Sequence, residues 1–322
     1  MIRKVLVTGS AGLVGRALVS TLASLPEAGV VAVSRGGEHP AVPGVEYRNV
    51  GNIDAQTPWE SHLADVDCVI HAAARVHVMR DTAADPLVLF REVNTAGTLN
   101  LARQAAQAGV RRFIFISSVK VNGESTEKDV AFRPDDNPKP SDPYAISKYE
   151  AEQGLLALAE QCEMDVVIIR PVLVYGPGVK ANFLHLMRLV YKGIPLPLGS
   201  INNARSLVGL DNLVDFIRVC IDHPAATNQI FLVSDGHDLS TAGLIQGLRA
   251  HMPTSGWLVP VPQSLLYLGA TLFGRRAAAQ RVLGSLRVDI AKSRELLQWS
   301  PPVSVDQGLR KTVEHFLASD QK

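Results

Sequence analysis

Tyr144 and Lys148 stand four residues apart in the segment Tyr-Ala-Ile-Ser-Lys. On a helix, positions i and i+4 lie on one face, so the phenol and the ammonium can enter one pocket. A free tyrosine titrates near ~10 and is a poor proton donor or acceptor at neutral pH. A fixed lysine charge nearby favours the phenolate and is expected to bring that value down toward the working range. Asp142-Pro143 directly precedes the pair. Aspartate as N-cap with proline at the first helical position is a strong helix start, so the pair falls on the opening turns of a helix. The two residues read as a proton-transfer device.

Far upstream lies a glycine-punctuated turn, Gly9-Ser-Ala-Gly12-Leu-Val-Gly15. It follows an apolar strand pattern and opens a helix near Val14. In that context glycines let the backbone approach a pyrophosphate, and the helix N-terminus offers free N–H donors and a favourable dipole. The turn predicts dinucleotide binding, and a cationic nicotinamide ring beside Tyr144 would add to the pull of Lys148 on the phenol. Lowering a tyrosine by about 3 units corresponds to roughly 4 kcal/mol of differential interaction. The next strand ends in Ser34-Arg35-Gly36-Gly37, with no acid to hold the adenosine ribose hydroxyls. An arginine there suits a 2′-phosphate, so NADP is expected over NAD, although an arginine stacked on adenine serves either. Ser117 and Ser118 end another strand, where doubly wound sheets bind ligands and a hydroxyl can hydrogen-bond a carbonyl or alcohol.

The elements that must position these groups are legible as apolar runs alternating with helical stretches, the pattern of a parallel sheet with crossover helices. Strands are predicted at Lys4–Thr8, Val30–Ser34, Cys68–His71, Arg112–Ser117, Asp165–Arg170 and Gln229–Val233, with helices beginning near Val14, Pro86 and Pro143. The fold class is therefore α/β, a Rossmann-type doubly wound parallel sheet with a smaller, interleaved C-terminal lobe. Residues 1–171 form the nucleotide-binding domain, segments around 205–235 return to it, and 172–322 form mainly a substrate-binding lobe.

At 322 residues, 47% hydrophobic and a net charge of +1, the chain fits a soluble globular enzyme. Balanced charge and a 6% aromatic content argue against a nucleic-acid partner. Cys68, Cys162 and Cys220 lack metal-ligand spacing and read as reduced thiols of a cytoplasmic protein. No signal-peptide architecture opens the chain. The apolar stretch Leu265 to Phe273 is too short to span a bilayer and reads as a buried or interfacial helix.

Gly9-x-x-Gly12-x-x-Gly15, Ser118, Tyr144-x-x-x-Lys148 and Arg170-Pro171-Val-Leu-Val-Tyr175-Gly176-Pro177-Gly178 resemble the extended short-chain dehydrogenase/reductases. More narrowly, they resemble the NAD(P)-dependent nucleotide-sugar epimerase/dehydratase family. The resemblance runs end to end, through Trp299-Ser-Pro-Pro-Val-Ser-Val-Asp-Gln-Gly308. It implies that Tyr144 is the acid/base, Ser118 the substrate-polarising hydroxyl and Lys148 the lysine that also holds the nicotinamide ribose, with Asn94 supporting that lysine. It implies cofactor contacts at Gly9, Ser10, Gly12, Leu13, Val14, Gly15, Arg35, Asn52, Ile53, Ala72, Ala73, Ala74, Ser117, Tyr144, Lys148, Pro171 and Val174. On the substrate side it points to Ser118, Lys120, Asn182, Arg205 and Arg281, the arginines matching a forked donor for a nucleotide diphosphate. A UDP-sugar substrate and a homodimer built on two long helices are further implications.

Several reactions use this set. A 4,6-dehydratase of the family carries an acid just after the catalytic hydroxyl, where this chain has Val119-Lys120. A UDP-hexose or UDP-N-acetylhexosamine 4-epimerase retains its cofactor, normally NAD with an acidic reader in place of Arg35. A ketoreductase consumes NADPH. Arg35, with Ser117 to Glu124 and the segment after Arg281, points to NADPH-dependent reduction of a UDP-4-keto-6-deoxy-N-acetylhexosamine for bacterial surface polysaccharide (O-antigen, lipopolysaccharide). The epimerase is the alternative. A reductase of a flavonoid or steroid ketone would use the same triad, and a non-catalytic NADP sensor would commonly lack the Tyr or Lys that this chain keeps.

Overall fold

The computed structural model describes residues 2–25, 29–36, 42–76, 85–127, 129–274 and 276–320. Gly37, at the end of the Arg35 turn, lies outside them. The strands are β1 (Lys4–Thr8), β2 (Gly29–Ser34), β3 (Val45–Asn49), β4 (Cys68–His71), β5 (Arg112–Ile116), β6 (Asp165–Pro171), β7 (Leu173–Tyr175), β8 (Leu207–Gly209) and β9 (Gln229–Val233). The helices are α1 (Leu13–Ala23), α2 (Pro86–Phe90), α3 (Thr98–Gln107), α4 (Pro143–Ala159), α5 (Ala181–Tyr191), α6 (Leu210–Asp222), α7 (Thr241–Ala250), α8 (Gln263–Leu272), α9 (Arg276–Leu283), α10 (Ala291–Leu297) and α11 (Val305–Asp320). A π-helical stretch, Arg91–Gly97, joins α2 to α3.

Seven strands form one parallel sheet in the order β3-β2-β1-β4-β5-β6-β9. Alternate residues of each strand face opposite sides. Val5 and Val7 pack with Leu18, Leu22, Leu213 and Phe216 of α1 and α6, while Leu6 packs with Leu101, Ala105 and Leu155 of α3 and α4. Both faces are covered, which is why the central strands read as unbroken apolar runs. The sequence reading omits β3 because it is an edge strand with no buried residue and a polar Glu-Tyr-Arg core. It also omits the short pair β7–β8, a separate two-stranded sheet. Around that pair, α5, α7 and α11 bury Tyr175, Phe183, Met187, Leu248 and Phe316 in a core of their own.

The strand order reverses between β1 and β4, and their C-terminal ends are in register, Thr8 opposite His71. A doubly wound sheet opens its ligand crevice at that place. Cys68 and Cys220 are buried free thiols, their ionisation disfavoured by burial, and Cys162 is a half-buried free thiol. No described helix is long and apolar enough to cross a membrane. The apolar stretch from Leu265 is helical as α8, yet none of its residues is buried.

Candidate active site

The turn after β1 lies at this crevice. Gly9 has φ +68°, and a Cβ there would sit 2.7 Å from the Ala73 backbone nitrogen, so the turn packs directly on the Ala72–Ala73 segment that leaves β4. A Cβ on Gly15 would sit 2.2 Å from the Gly9 carbonyl oxygen, which fixes glycine where α1 folds back on the turn. Ser10 donates to the Val33 carbonyl at 3.0 Å and so ties the turn to β2 instead of facing a ligand. Gly12 caps α1 without a side-chain hydrogen bond, and the first turn carries no acid. The first-turn N–H groups of Leu13 and Val14 are thus left for an anion at a positive helix end. This donor set fits the pyrophosphate of a dinucleotide. Arg35 is exposed just past β2, Asn52 is exposed, and Ile53 is buried with its backbone against Gly97.

The catalytic candidates meet at the neighbouring strand end. Asp142 caps α4, accepting from the Ala145 N–H at 2.7 Å, with Pro143 at the first helical position. Tyr144 is half-buried, its ring edge-on to Phe90 at 6.2 Å. Ser118, just past β5, hydrogen-bonds the Tyr144 phenol and also accepts from the Lys120 N–H at 3.2 Å. Lys148 is buried, with Nζ 4.1 Å from the centroid of the Phe115 ring, a cation–π placement.

The expected action of Lys148 on the phenol is not the dominant one. Burial first, then the negative charge of Asp142, push Tyr144 up to about 12, while the bond from Ser118 pulls the other way. Burial brings Lys148 down to about 7 against the favourable charge of Glu152. His71, stacked on Phe115 and hydrogen-bonded to Thr8 at 2.8 Å and Thr98 at 3.0 Å, is held neutral by burial and by Lys148, at about 3.

The sequence reading missed the network beneath this pair. Glu152, one turn beyond Lys148, makes a buried ion pair with Arg170 at 2.6 Å and accepts from the Ser117 hydroxyl at 2.5 Å. Arg170 also donates to Asn122 at 3.0 Å. A glutamate at i+4 from the lysine, opposite an arginine at a strand end, was the available signal. Ser117 is therefore turned into this network. Asn94 reaches Ser147, the residue before Lys148, at 3.0 Å, and it exchanges hydrogen bonds with the Arg75 backbone. Lys120 is held by Glu124 at 2.9 Å and by Asp142, so it straps the strand end to the cap of α4.

On the other lobe, Arg205 donates to the carbonyls of Arg281 at 2.8 Å and Gly284 at 3.1 Å, capping the end of α9. Burial lowers its pKa, and no carboxylate among the described residues pairs with it. A guanidinium answered only by carbonyls suits an anion. Arg281 is exposed beside it, Asn182 is exposed on the first turn of α5, and Pro171 and Val174 border the step from β6 to β7.

Known proteins with this architecture narrow the reaction. A family model described as the NAD dependent epimerase/dehydratase family matches residues 5–234. A UDP-glucose 4-epimerase of Vibrio cholerae is 50% identical over all of this chain and 98% of its own length. Among solved structures, the UDP-glucose 4-epimerase of Thermotoga maritima with UDP-glucose superposes with a TM-score of 0.76 at 22% identity, covering 98% of this chain and 99% of that one. The UDP-glucuronic acid 4-epimerase of Bacillus cereus, in complex with NAD, gives 0.77 at 21% identity, with coverage of 98% and 99%. These findings overturn the ketoreductase expectation, because the full-length relative at 50% identity is an epimerase. That expectation rested on Arg35, and an exposed arginine past β2 is equally able to lie over an adenine with no phosphate to read.

Proposed function

The chain belongs to the NAD-dependent epimerase/dehydratase family and is an NAD(P)-dependent nucleotide-sugar enzyme, and from that premise we propose that it is a UDP-hexose 4-epimerase that works with bound NAD. The observation carrying this reading is the Ser118–Tyr144 hydrogen bond, with Lys148 one turn further on, in a chain half identical to a UDP-glucose 4-epimerase. NAD takes the place of the expected NADP, since an epimerase returns what it removes, and a solved relative of this fold holds NAD. The first-turn N–H groups of Leu13 and Val14, with the Gly9–Gly15 turn, would hold its pyrophosphate.

When bound, NAD supplies a reversible hydride acceptor for the hydrogen on carbon 4 of the sugar. Tyr144, as phenolate, takes the proton of the carbon-4 hydroxyl, and Ser118 hydrogen-bonds the same oxygen as it becomes a carbonyl. The 4-keto sugar presents its other face, and as carbon 4 regains its hydride Tyr144 returns the proton to the carbonyl oxygen, which gives the alcohol of opposite configuration. The buried Lys148 lies one helical turn from the phenol and, in its protonated form, offers it a positive charge. Arg205, answered only by carbonyls, and the exposed Arg281 and Asn182 are assigned to the UDP diphosphate. In this reading residues 1–171 and 205–235 carry the cofactor, and 172–322 mainly the sugar nucleotide.

The test is incubation with UDP-galactose and a trace of NAD, followed by anion-exchange separation of the nucleotide sugars. Accumulation of UDP-glucose to a fixed ratio, with no net change in NADH absorbance, is expected. A protein that interconverts neither UDP-glucose with UDP-galactose nor their N-acetyl counterparts overturns this proposal.

A further inference from the structure

The hairpin α8–α9 carries an apolar surface that no described part of the chain covers. Leu265, Leu268 and Leu272 follow the i, i+3, i+7 spacing of one helix face, and Leu272 and Phe273 are 77% and 82% exposed. Trp257, six residues before α8, is 65% exposed. Scattered apolar residues are ordinary on a protein surface, whereas a helix without one buried residue is not.

The charge along this stretch of sequence is one-sided. From Leu239 to Val288 the sequence has no Asp or Glu and no Lys, but it has Arg249, Arg275, Arg276, Arg281 and Arg287. Arg287 is neutralised by Asp238 at 2.7 Å, while Arg276 and Arg281 are exposed on α9. A short apolar helix followed by arginines, with an exposed tryptophan six residues before it in the sequence, has the composition of an element lying in the headgroup region of a bilayer. Ten residues of helix cannot span one.

We propose that the α8–α9 hairpin docks this protein on an anionic lipid surface, Leu268, Leu272, Phe273 and Trp257 entering the interface and Arg276 meeting the headgroups. Because Arg205 caps α9 through the Arg281 and Gly284 carbonyls, docking would hold the substrate lobe at that surface. A protein partner matching this face would need a large acidic rim around an apolar centre. A lipid headgroup layer provides both without further specificity.

The full chain is floated with vesicles of phosphatidylethanolamine and phosphatidylglycerol, and in parallel with phosphatidylcholine alone, at low and high salt. Recovery with the anionic vesicles is expected to exceed that with the neutral ones at least ten-fold and to fall with salt. The double substitution Leu272→Ser/Phe273→Ser, at two unburied positions, should lower recovery about ten-fold while leaving circular dichroism and turnover of soluble UDP-sugar unchanged. Arg276→Gln should weaken binding to anionic vesicles only. No recovery with anionic vesicles, or recovery untouched by the double substitution, overturns the proposal. A dimer in lipid-free solution that the double substitution dissociates, without vesicle binding, assigns the face to a second copy of this chain. The readout is binding, so it is independent of which sugar reaction the enzyme performs.

Discussion

Glu152 and Arg170 meet at 2.6 Å with each side chain about 2% exposed, one helical turn beyond Lys148 and two beyond Tyr144. The pair joins α4 to the end of β6, and Ser117 adds the end of β5. It thereby fixes the height and rotation of the helix that presents both catalytic candidates. Buried ion pairs seldom stabilise relative to an apolar replacement, but removing one member strands the other charge. Glu152→Leu should therefore cost about 3–5 kcal/mol in urea unfolding, and the double substitution Glu152→Leu/Arg170→Met should recover part of that loss. A single substitution with an unchanged unfolding midpoint would sink this account.

Tyr144→Phe keeps the ring against Phe90 and removes only the hydroxyl. Turnover should fall by roughly 10²–10⁴, the usual size of a lost general acid or base, with NAD affinity nearly intact by fluorescence titration. Ser118→Ala should fall less. Because the two hydroxyls are hydrogen-bonded to each other, the double variant should be close to Tyr144→Phe alone. Joint loss of turnover and NAD binding in Tyr144→Phe would make the residue structural.

Lys120 offsets the charge that opposes Tyr144 ionisation. It binds Asp142, and Asp142 raises the phenol. Burial works against the Lys120 ammonium, but Asp142 and Glu124 outweigh it and leave its pKa raised. Lys120→Ala exposes the phenol to an unneutralised carboxylate, so the rising limb of kcat against pH should move to higher pH. Each unit of displacement costs about ten-fold in rate on that limb. Lys120→Arg should restore the profile, and an unmoved limb in Lys120→Ala would show that Lys120 serves only the loop.

The sheet was legible because its strands are buried on both faces and bounded by glycine, proline and serine, so their runs are nearly unbroken. The edge strand β3 was not, since polar Glu46 and Arg48 give no run. The Tyr144–Lys148 pair and the glycine turn were legible because local spacing alone defines them. The Glu152–Arg170 pair spans 18 residues and two elements, and Lys120–Asp142 spans 22, so only the fold brings them together. Arg35 misled for a physical reason: a flexible, exposed guanidinium satisfies a phosphate, an adenine face or water equally well.

Gly15 tests the cofactor turn. A Cβ there would lie 2.2 Å from the Gly9 carbonyl oxygen, so Gly15→Ala must push the turn away from α1. NAD affinity should drop at least ten-fold, with a stability loss of about 1–3 kcal/mol typical of overpacking. Gly269→Ala, in α8 with nothing within 4 Å of the added carbon, is the control and should hold or gain stability. Equal NAD affinity in Gly15→Ala and the parent would remove the turn from the cofactor site.

The buried lysine leaves a signature in stability against pH. Lys148 titrates at about 7 in the folded protein against an ordinary 10.5. Between those values the unfolded chain carries a proton here that the folded chain lacks, so this residue makes stability rise with pH across that window. Below about 7 the folded protein bears the full cost of a buried ammonium. Lys148→Met keeps the apolar stem against Phe115 and removes the charge. The variant should therefore be more stable than the parent near pH 6, and its advantage should shrink steadily toward pH 9.5 as the parent lysine loses its proton. Taking the difference between the two proteins at each pH cancels the titrating groups that do not interact with Lys148. A difference constant from pH 6 to 9.5 would mean that Lys148 keeps an ordinary lysine charge, and that its ammonium is fully supported where it lies.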